Sequence, residues 1–271
     1  MDGKIKMCNR GFHACESPFD VFDYYTMIDS RFCEVEQDGN ISKEDRGTKI
    51  CSSKIKIKAE LKLAGMINLG VEWLKEITSP EKIKTSIKDN SSGNYAKIGS
   101  SGDEAQIGSS GYGAQIGSSG YGAQIGSSGY DAKIGSSGND AKIGSSGNDA
   151  KIGSSGNDAK IGSSGNNAQI GSSGDGAQIG SSSDGAKISS SGYGAKTDST
   201  GEDCVIMCAG INSVAKASKG SWITLSEWSY SEGKQRYIPI CVKTEFVDGE
   251  KIKADTYYSL KGGVFVEWIN D

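Results

Sequence analysis

The sequence is poor in three things on which many proteins depend: proline, histidine and long apolar runs. Three prolines among 271 residues exclude both collagen, which needs frequent proline beside glycine, and a proline-rich linker. The single histidine, His13, excludes metal centres and catalytic groups that need two imidazoles. Hydrophobic residues make up only 35% of the chain, against the usual ~45–50%, so a conventional layered core throughout is not expected.

Charge and cysteine usage narrow the setting further. A net charge of −4 lacks the basic excess that nucleic acid or anionic lipid would need, so we expect neither as a direct partner. No window approaches 18 apolar residues and the first residues do not resemble a signal peptide, so no membrane and a reducing cytosol are expected. Free, mostly buried thiols and no bound metal are predicted, because the cysteines lack CxxC spacing; they are Cys8, Cys15, Cys33, Cys51, Cys204, Cys208 and Cys241.

What the sequence has in abundance is repetition with a period of nine. From Ala96 it reads AKIGSSGDE, AQIGSSGYG, AQIGSSGYG, and one isoleucine returns in strict phase, as at Ile98, Ile107 and Ile116. Degenerate copies on both sides extend the array to residues 87–203, which is about 13 repeats. Such strict phase is typical of a repeat architecture rather than of a disordered glycine–serine linker.

Each nonapeptide predicts one short strand and one corner. Ala96, Ile98 and Ser100 alternate and are expected to point inward, while Lys97 and Gly99 point outward. The remaining glycine, asparagine and aspartate residues suit a turn, because they tolerate positive φ. Two nonapeptides per coil give a flattened parallel β-solenoid about 31 Å long, at ~4.8 Å per coil. The predicted fold class is therefore mainly β.

The segment before the array, residues 1–86, predicts a small α+β head domain. A short helix is expected after Ser17-Pro18, followed by a strand at 31–38. The alternating stretch at 54–63 predicts a second strand with its isoleucine, alanine and leucine side chains inward and its lysines outward. A second helix is predicted at 66–77.

The segment after the array, residues 204–271, predicts a terminal coil and a β-rich cap that covers the exposed strand edges. Hairpin turns are expected at Asp248-Gly249 and Gly262-Gly263. The predicted strands of the cap are 221–228, 237–247, 251–260 and 264–269.

Two sets of outward residues are candidates for a binding surface. Lysine follows each repeat that ends in aspartate, as Lys133 follows Asp131, which indicates either ion pairing along one face or recent duplication. Since glutamine also occupies this column, Lys142→Gln is expected to change stability by less than about 0.5 kcal/mol. The corner tyrosines indicate either a binding role or neutral variation at the corner position. Tyrosines 18 residues apart should stack on one edge of the solenoid. The candidates are Tyr112, Tyr121, Tyr130, Tyr193, Lys133, Lys142, Lys151 and Lys160.

Three stretches resemble a known family. RGFHACESPFDVFDYY with RFCEVE, then KIKIKAELKLAG, then VKTEFVDGEKIKADTYYSLKGGVFVEW are similar to an uncharacterised clostridial and phage family. In that family a GFHAC head and a VDGxxxKADTxYxL tail enclose a variable number of nine-residue repeats. The resemblance implies a solenoid of a mobile element in a bacterial host cytosol, without a known activity. It suggests a protein that binds a host macromolecule, with inhibition of a host defence system by protein–protein contact as the most concrete hypothesis.

We predict no enzyme activity and no cofactor, although the head offers weak catalytic candidates. His13 lies beside Cys15, which indicates either a Cys–His nucleophile pair or a histidine that anchors a strand corner. The array lacks the GGxGxDxUx calcium pattern, and its charge is too low for a mimic of DNA. Two other hypotheses stay open: a structural or homodimeric spacer, and a solenoid that binds ice or a small ligand.

Overall fold

The computed structural model describes residues 10–25, 30–44, 48–77 and 93–269. The fold is mainly β, with a parallel β-solenoid of about seven turns over residues 97–225 and a small N-terminal head. The predicted fold class is therefore confirmed. The predicted start of the array, at residue 87, lies outside the described residues.

The head consists of a three-stranded antiparallel sheet with two helical segments. Its first strand pairs with the third, and the third pairs with the second. The short helix predicted after Ser17-Pro18 is a 3-10 helix, and the Ser17 hydroxyl just before it accepts a hydrogen bond from the Asp20 amide at 3.3 Å. In chain order the elements are β1 (Phe12–Cys15), the 3-10 helix (Phe19–Asp23), β2 (Phe32–Lys43), β3 (Lys49–Leu61) and α1 (Leu63–Ile77).

One expectation for the head needs correction. The alternation in β3 predicted that its apolar side chains would point into a core, but Ile57 is 66% exposed and Ala59 is also exposed. This part of β3 pairs with β2 only, and no described element lies over it. Alternation thus indicated the strand correctly, but it does not show whether another layer covers that strand.

The solenoid alternates its strands between two parallel sheets. Sheet I contains the even-numbered strands from β4 to β16, followed by β18 (Trp222–Ser231) and β19 (Arg236–Phe246). Sheet II contains the odd-numbered strands from β5 to β17, followed by β20 (Tyr258–Lys261) and β21 (Val264–Glu267). Identical repeat positions align, as where Ile152 lies between Ile134 and Ile170. The strands β4 to β17 are Lys97–Ser100, Gln106–Ser109, Gln115–Ser118, Gln124–Ser127, Lys133–Ser136, Lys142–Ser145, Lys151–Ser154, Lys160–Ser163, Gln169–Ser172, Gln178–Ser181, Lys187–Ser190, Lys196–Ser199, Val205–Cys208 and Val214–Ala217.

The core is a narrow seam between the two sheets. Ala141 and Ile143 are completely buried there, as the alternation predicted. The corners use left-handed backbone at the ninth position, with φ of 56° at Asp140. At the glycine of each corner, successive coils touch directly: a Cβ atom on Gly147 would lie 1.9 Å from the carbonyl oxygen of Gly129. Stacking of whole coils, rather than any single repeat, therefore builds the core.

Two hairpins close the carboxyl end of the solenoid. Strands β18 (Trp222–Ser231) and β19 (Arg236–Phe246) extend sheet I, and β20 (Tyr258–Lys261) and β21 (Val264–Glu267) extend sheet II. The second hairpin turns at Gly262-Gly263, as predicted, with φ of 59° and 71°.

The segment between these hairpins differs from its prediction. Asp248-Gly249 does not join two paired strands, because β19 pairs with β18 and β20 pairs with β17. The Asp248 carboxylate accepts hydrogen bonds from the amides of Glu250 and Ile252 at 2.9 and 3.0 Å, and these bonds bend the chain. Ile252 is buried in the core. The strand predicted at 251–260 therefore begins only at Tyr258.

Substitution of an inward residue should be far more damaging than substitution of an outward one. Ile143→Asp places a charge in the dry seam, and we expect it to lower the free energy of unfolding by more than about 4 kcal/mol. The matched outward variant, Lys151→Gln, should change it by less than about 0.5 kcal/mol, since glutamine fills this column elsewhere. Urea unfolding followed by circular dichroism measures both. Similar losses in the two variants would contradict the inward and outward assignment.

Candidate binding surface

The outer surface of sheet I is open to solvent along the solenoid. Its outward residues form two parallel columns, one long and polar and one of glycine. Beside them runs a shallow groove of about 1220 Å³, here called the open groove. The polar column contains Lys97, Gln115, Lys133, Lys151, Gln169 and Lys187, and the small-residue column contains Gly99, Gly117, Gly135, Gly153, Gly171 and Ser189.

The groove exists because every second outward position has no side chain. A Cβ atom on Gly135 or Gly153 would meet nothing within 4 Å. The floor is therefore bare backbone, and the lysine and glutamine side chains form one wall beside it. Since the glycine returns in five successive coils of this sheet, the floor stays level from coil to coil.

The wall of the open groove is positively charged. Lys133 lies directly beside Lys151 in the sheet, so their ammonium groups repel at a strand spacing of ~4.8 Å. The sequence suggested relief by aspartate, but Asp131 instead accepts a hydrogen bond from the Tyr112 hydroxyl at 3.0 Å. Within the described part of the chain, no carboxylate forms an ion pair with the four lysines of this column.

An apolar patch ends the groove on its carboxyl side. Val205 and Trp222 continue the polar column, and Met207 continues the glycine column. The Trp222 ring lies 5.0 Å from the Phe246 ring across the β18–β19 pair. These four side chains are 41–47% exposed, and apolar residues grouped on a surface in this way are typical of an interaction site. Sequence reasoning missed them, because their alternation predicted only a strand.

The equivalent surface of sheet II is covered by the head. Helix α1 packs across β5, β7, β9, β11 and β13. A Cβ atom on Gly162 would lie 3.2 Å from the Phe19 ring and 3.4 Å from Ile67. The glycine column of this sheet therefore gives the head the space it fills.

A buried ion pair fixes the head on sheet II. The Asp20 carboxylate contacts the Lys142 ammonium and accepts hydrogen bonds from Thr48 at 2.7 Å and Ser17 at 2.9 Å. Burial acts to raise the pKa of Asp20, but Lys142 and the two hydroxyl groups outweigh it and hold that pKa below its usual value. The contact joins residues 122 positions apart in the sequence.

The four lysines predicted as part of one binding surface lie on two different sheets. Lys133 and Lys151 line the open groove, but Lys142 and Lys160 belong to sheet II, where Lys160 is only 7% exposed. The four lysines therefore lie on two opposite faces, because consecutive nonapeptides alternate between sheets. Lys142 is also not the exchangeable outward residue that was expected, since its ammonium group pairs with buried Asp20.

The predicted tyrosines lie on the two edges of the solenoid. Tyr112 and Tyr130 stack, as their spacing predicted, with ring centroids 5.6 Å apart and planes at 7°. Tyr95 extends this row, 5.4 Å from Tyr112. Tyr121 and Tyr193 occupy corners that lead from sheet I to sheet II, on the other edge. All are exposed, and their part in binding stays a prediction.

The weak catalytic candidates line a second cavity. His13 and Cys15 share one side of β1, and both border a space of about 1530 Å³ in the head, together with Cys33 and Trp73. Within the described ranges, no group of three His, Cys, Asp or Glu residues could hold a metal ion. Among the described cysteines none is in a disulfide. The geometry places His13 and Cys15 side by side without showing a reaction.

A buried charged cluster lies under the cap. Asp198 replaces the glycine of its column in sheet II, and its carboxylate lies 2.7 Å from the Lys216 ammonium and 3.3 Å from the Tyr257 hydroxyl. Burial raises the pKa of Asp198 to about 6, because loss of water outweighs the attraction of Lys216. Burial and the Asp198 charge also raise the pKa of Tyr257. The departure from glycine at residue 198 is the sequence signal that could have found this cluster.

Comparison with known proteins finds a match only for the amino-terminal part of the chain. Residues 1–69 match the model of a family described as a domain of unknown function, DUF7666. The match ends within α1, so it covers none of the described solenoid strands. Neither a curated protein nor a solved structure matches the chain. In the described ranges, no helix is both long and apolar enough to cross a membrane.

The Asp198 cluster should make stability depend on pH. Between the usual value of 3.8 and about 6, the folded chain holds a proton on Asp198 that the unfolded chain has lost. The stabilisation that this proton gives the folded state is therefore fully present below pH ~4 and is lost as the pH rises through about 6. Relative to Asp198→Asn, the wild-type melting midpoint should fall by a few degrees from pH 4 to pH 7. A constant or growing wild-type advantage over that range would contradict the raised pKa.

The two glycine columns should respond differently to the same substitution. Gly162→Leu places a side chain where Phe19 and Ile67 lie, so we expect the head to detach and to be digested faster by trypsin. Gly153→Leu, its matched control in the open groove, should leave digestion of the head unchanged. Equal protection of the head in both variants would show that the glycine column of sheet II does not determine its docking.

Proposed function

We propose that the protein is a non-enzymatic binding protein whose open groove holds another protein. The observation that supports this most directly is the pairing of a bare, positively charged groove with an exposed apolar patch. Large exposed side chains such as Trp222 and Met207 are the kind that contribute most at protein interfaces. Hydrogen bonds between successive coils hold the groove rigid, so little conformational entropy is lost when a partner binds.

The partner that we propose is a bacterial host protein of a defence system against phage, inhibited by the contact itself. This setting is supported by the resemblance of the head and tail to the clostridial and phage family. The family model that matches the head supplies neither an activity nor a partner. The open groove is therefore the support that the molecule itself provides.

Catalysis in the head is the competing function. The cavity beside His13 and Cys15 is the observation that favours it. An end-to-end spacer is less well supported, because the hairpins β18–β19 and β20–β21 continue the two sheets at the carboxyl end and replace the flat parallel edge there.

A capture experiment separates these functions. Tagged wild-type protein, the double variant Gly135→Leu/Gly153→Leu and the control Gly233→Leu are expressed in bacteria, and bound proteins are quantified by isotope-labelled mass spectrometry. A Cβ atom at each of these three glycines would meet nothing within 4 Å, so all three proteins should fold. We expect one partner to be retained by the wild type and the control and lost from the double variant.

The same three proteins test the proposed setting. In cells that carry the defence system of the captured partner, wild type and Gly233→Leu should restore phage plating and the double variant should not. Identical capture by all three proteins would contradict a function in the open groove. Loss of function in His13→Ala, with an intact groove, would favour the head instead.

A further inference from the structure

The two broad faces of the solenoid carry the same track. In sheet II, five glycines run along the outer surface before Asp198 ends the column; in sheet I, five glycines run along it before Ser189. A column of lysine and glutamine borders each track. The tracks are Gly108, Gly126, Gly144, Gly162 and Gly180 in sheet II, and Gly99, Gly117, Gly135, Gly153 and Gly171 in sheet I.

The covered track shows what this surface accepts. Helix α1 has 15 residues and is therefore about 22 Å long, and it crosses five strands, which span about 19 Å. It thus runs along the solenoid rather than along the strands. Its buried residue Ile67 faces the sheet near Gly162, Met66 packs against Phe19 and Phe22 of the head, and exposed Asn68 faces away. Beside it, the Asp20 carboxylate meets a lysine of the bordering column.

We propose that the open groove binds an amphipathic helix of a partner protein, with acidic residues along the edge that faces the lysine column. This inference rests on the proposed function, since it takes the open groove as the binding surface and adds the form and charge of what binds. Aliphatic side chains of the helix lie over the glycine column from Gly117 to Gly171, and its carboxylates pair with Lys133 and Lys151. A large apolar residue at one end of the helix contacts Trp222 and Met207.

Charge selects this occupant over the alternatives. A second copy of the chain in the same groove would oppose one lysine column to another, which is unfavourable without intervening carboxylates. Nucleic acid would meet a single row of four lysines on a chain of net charge −4, which is a weak electrostatic footprint. An acidic helix satisfies both the lysine column and the apolar patch.

The chain supplies its own probe for this proposal. Two peptides with the sequence of Leu63–Ile77 are made helical by a hydrocarbon staple between positions 68 and 72, both exposed in α1. In one peptide, Lys75→Glu makes both remaining charged side chains acidic. In the other, Glu76→Lys makes both of them basic. Fluorescence anisotropy with labelled peptide and full-length protein measures the binding of each, and a single-stranded DNA oligonucleotide forms a third arm.

We expect the acidic peptide to bind at least about tenfold more tightly than the basic one. Gly135→Leu/Gly153→Leu should weaken its binding at least about tenfold, and Lys133→Glu/Lys151→Glu should reverse the preference for charge. The controls Gly233→Leu and Lys234→Glu, both in the β18–β19 turn, should bind as the wild type does.

Three results would overturn the inference: no saturable binding of the acidic peptide, binding unaffected by the glycine variants, or tighter binding of DNA in the same groove. Concentration-dependent self-association abolished by Gly135→Leu/Gly153→Leu would instead identify a second copy as the occupant. If the groove variants lose a captured protein but the acidic peptide does not bind, the helix inference fails while the proposed function stands.

Discussion

The seam between the two sheets is the constraint on which the rest of the molecule depends. Within the repeats it is filled by alanine, isoleucine and serine, so the sheets must lie close together and every coil must repeat the same small set of side chains. A single coil would leave both of its faces wet, and only neighbours above and below make the isoleucine column continuous. Strict repetition of the inward positions also keeps the outward positions in register from coil to coil. The straight run of the glycine tracks and of the lysine and glutamine columns therefore follows from the core.

The use of the two faces is unequal although their chemistry is the same. On one, the head fills the glycine track with Phe19 and Ile67 and neutralises Lys142 with Asp20. On the other, no element of the described ranges fills the track, and none of their carboxylates pairs with its lysines. The difference comes from the head and not from the repeats. The repeats alone would give two equivalent faces, and packing of the head covers one face and leaves the other exposed.

Much of the fold could be predicted from the sequence because a period of nine is a strong constraint. The inward position of Ile143, the left-handed corner at Asp140 and the stacking of Tyr112 on Tyr130 all follow from alternation and spacing. The covered face could not be predicted, since both faces have the same repeat. Contact between Asp20 and Lys142 is equally hidden, because nothing local to either residue indicates the other. Ile57 shows the converse: it lies in a perfect alternation, yet no element of the described ranges buries it.

Because consecutive strands alternate between the two sheets, an odd or even change in the number of repeats has a different effect on the structure. Each nonapeptide advances the chain by half a coil, so removal of one would transfer every later strand to the opposite sheet. Trp222 and Met207 would then lie beyond the head, and the Asp198 cluster would lie at the end of the open groove. Removal of two shortens the rod by one coil and keeps both faces as they are. Unequal crossing-over in such a gene therefore preserves both faces only in steps of eighteen codons, and a step of nine codons moves the carboxyl-terminal strands to the opposite faces relative to the head.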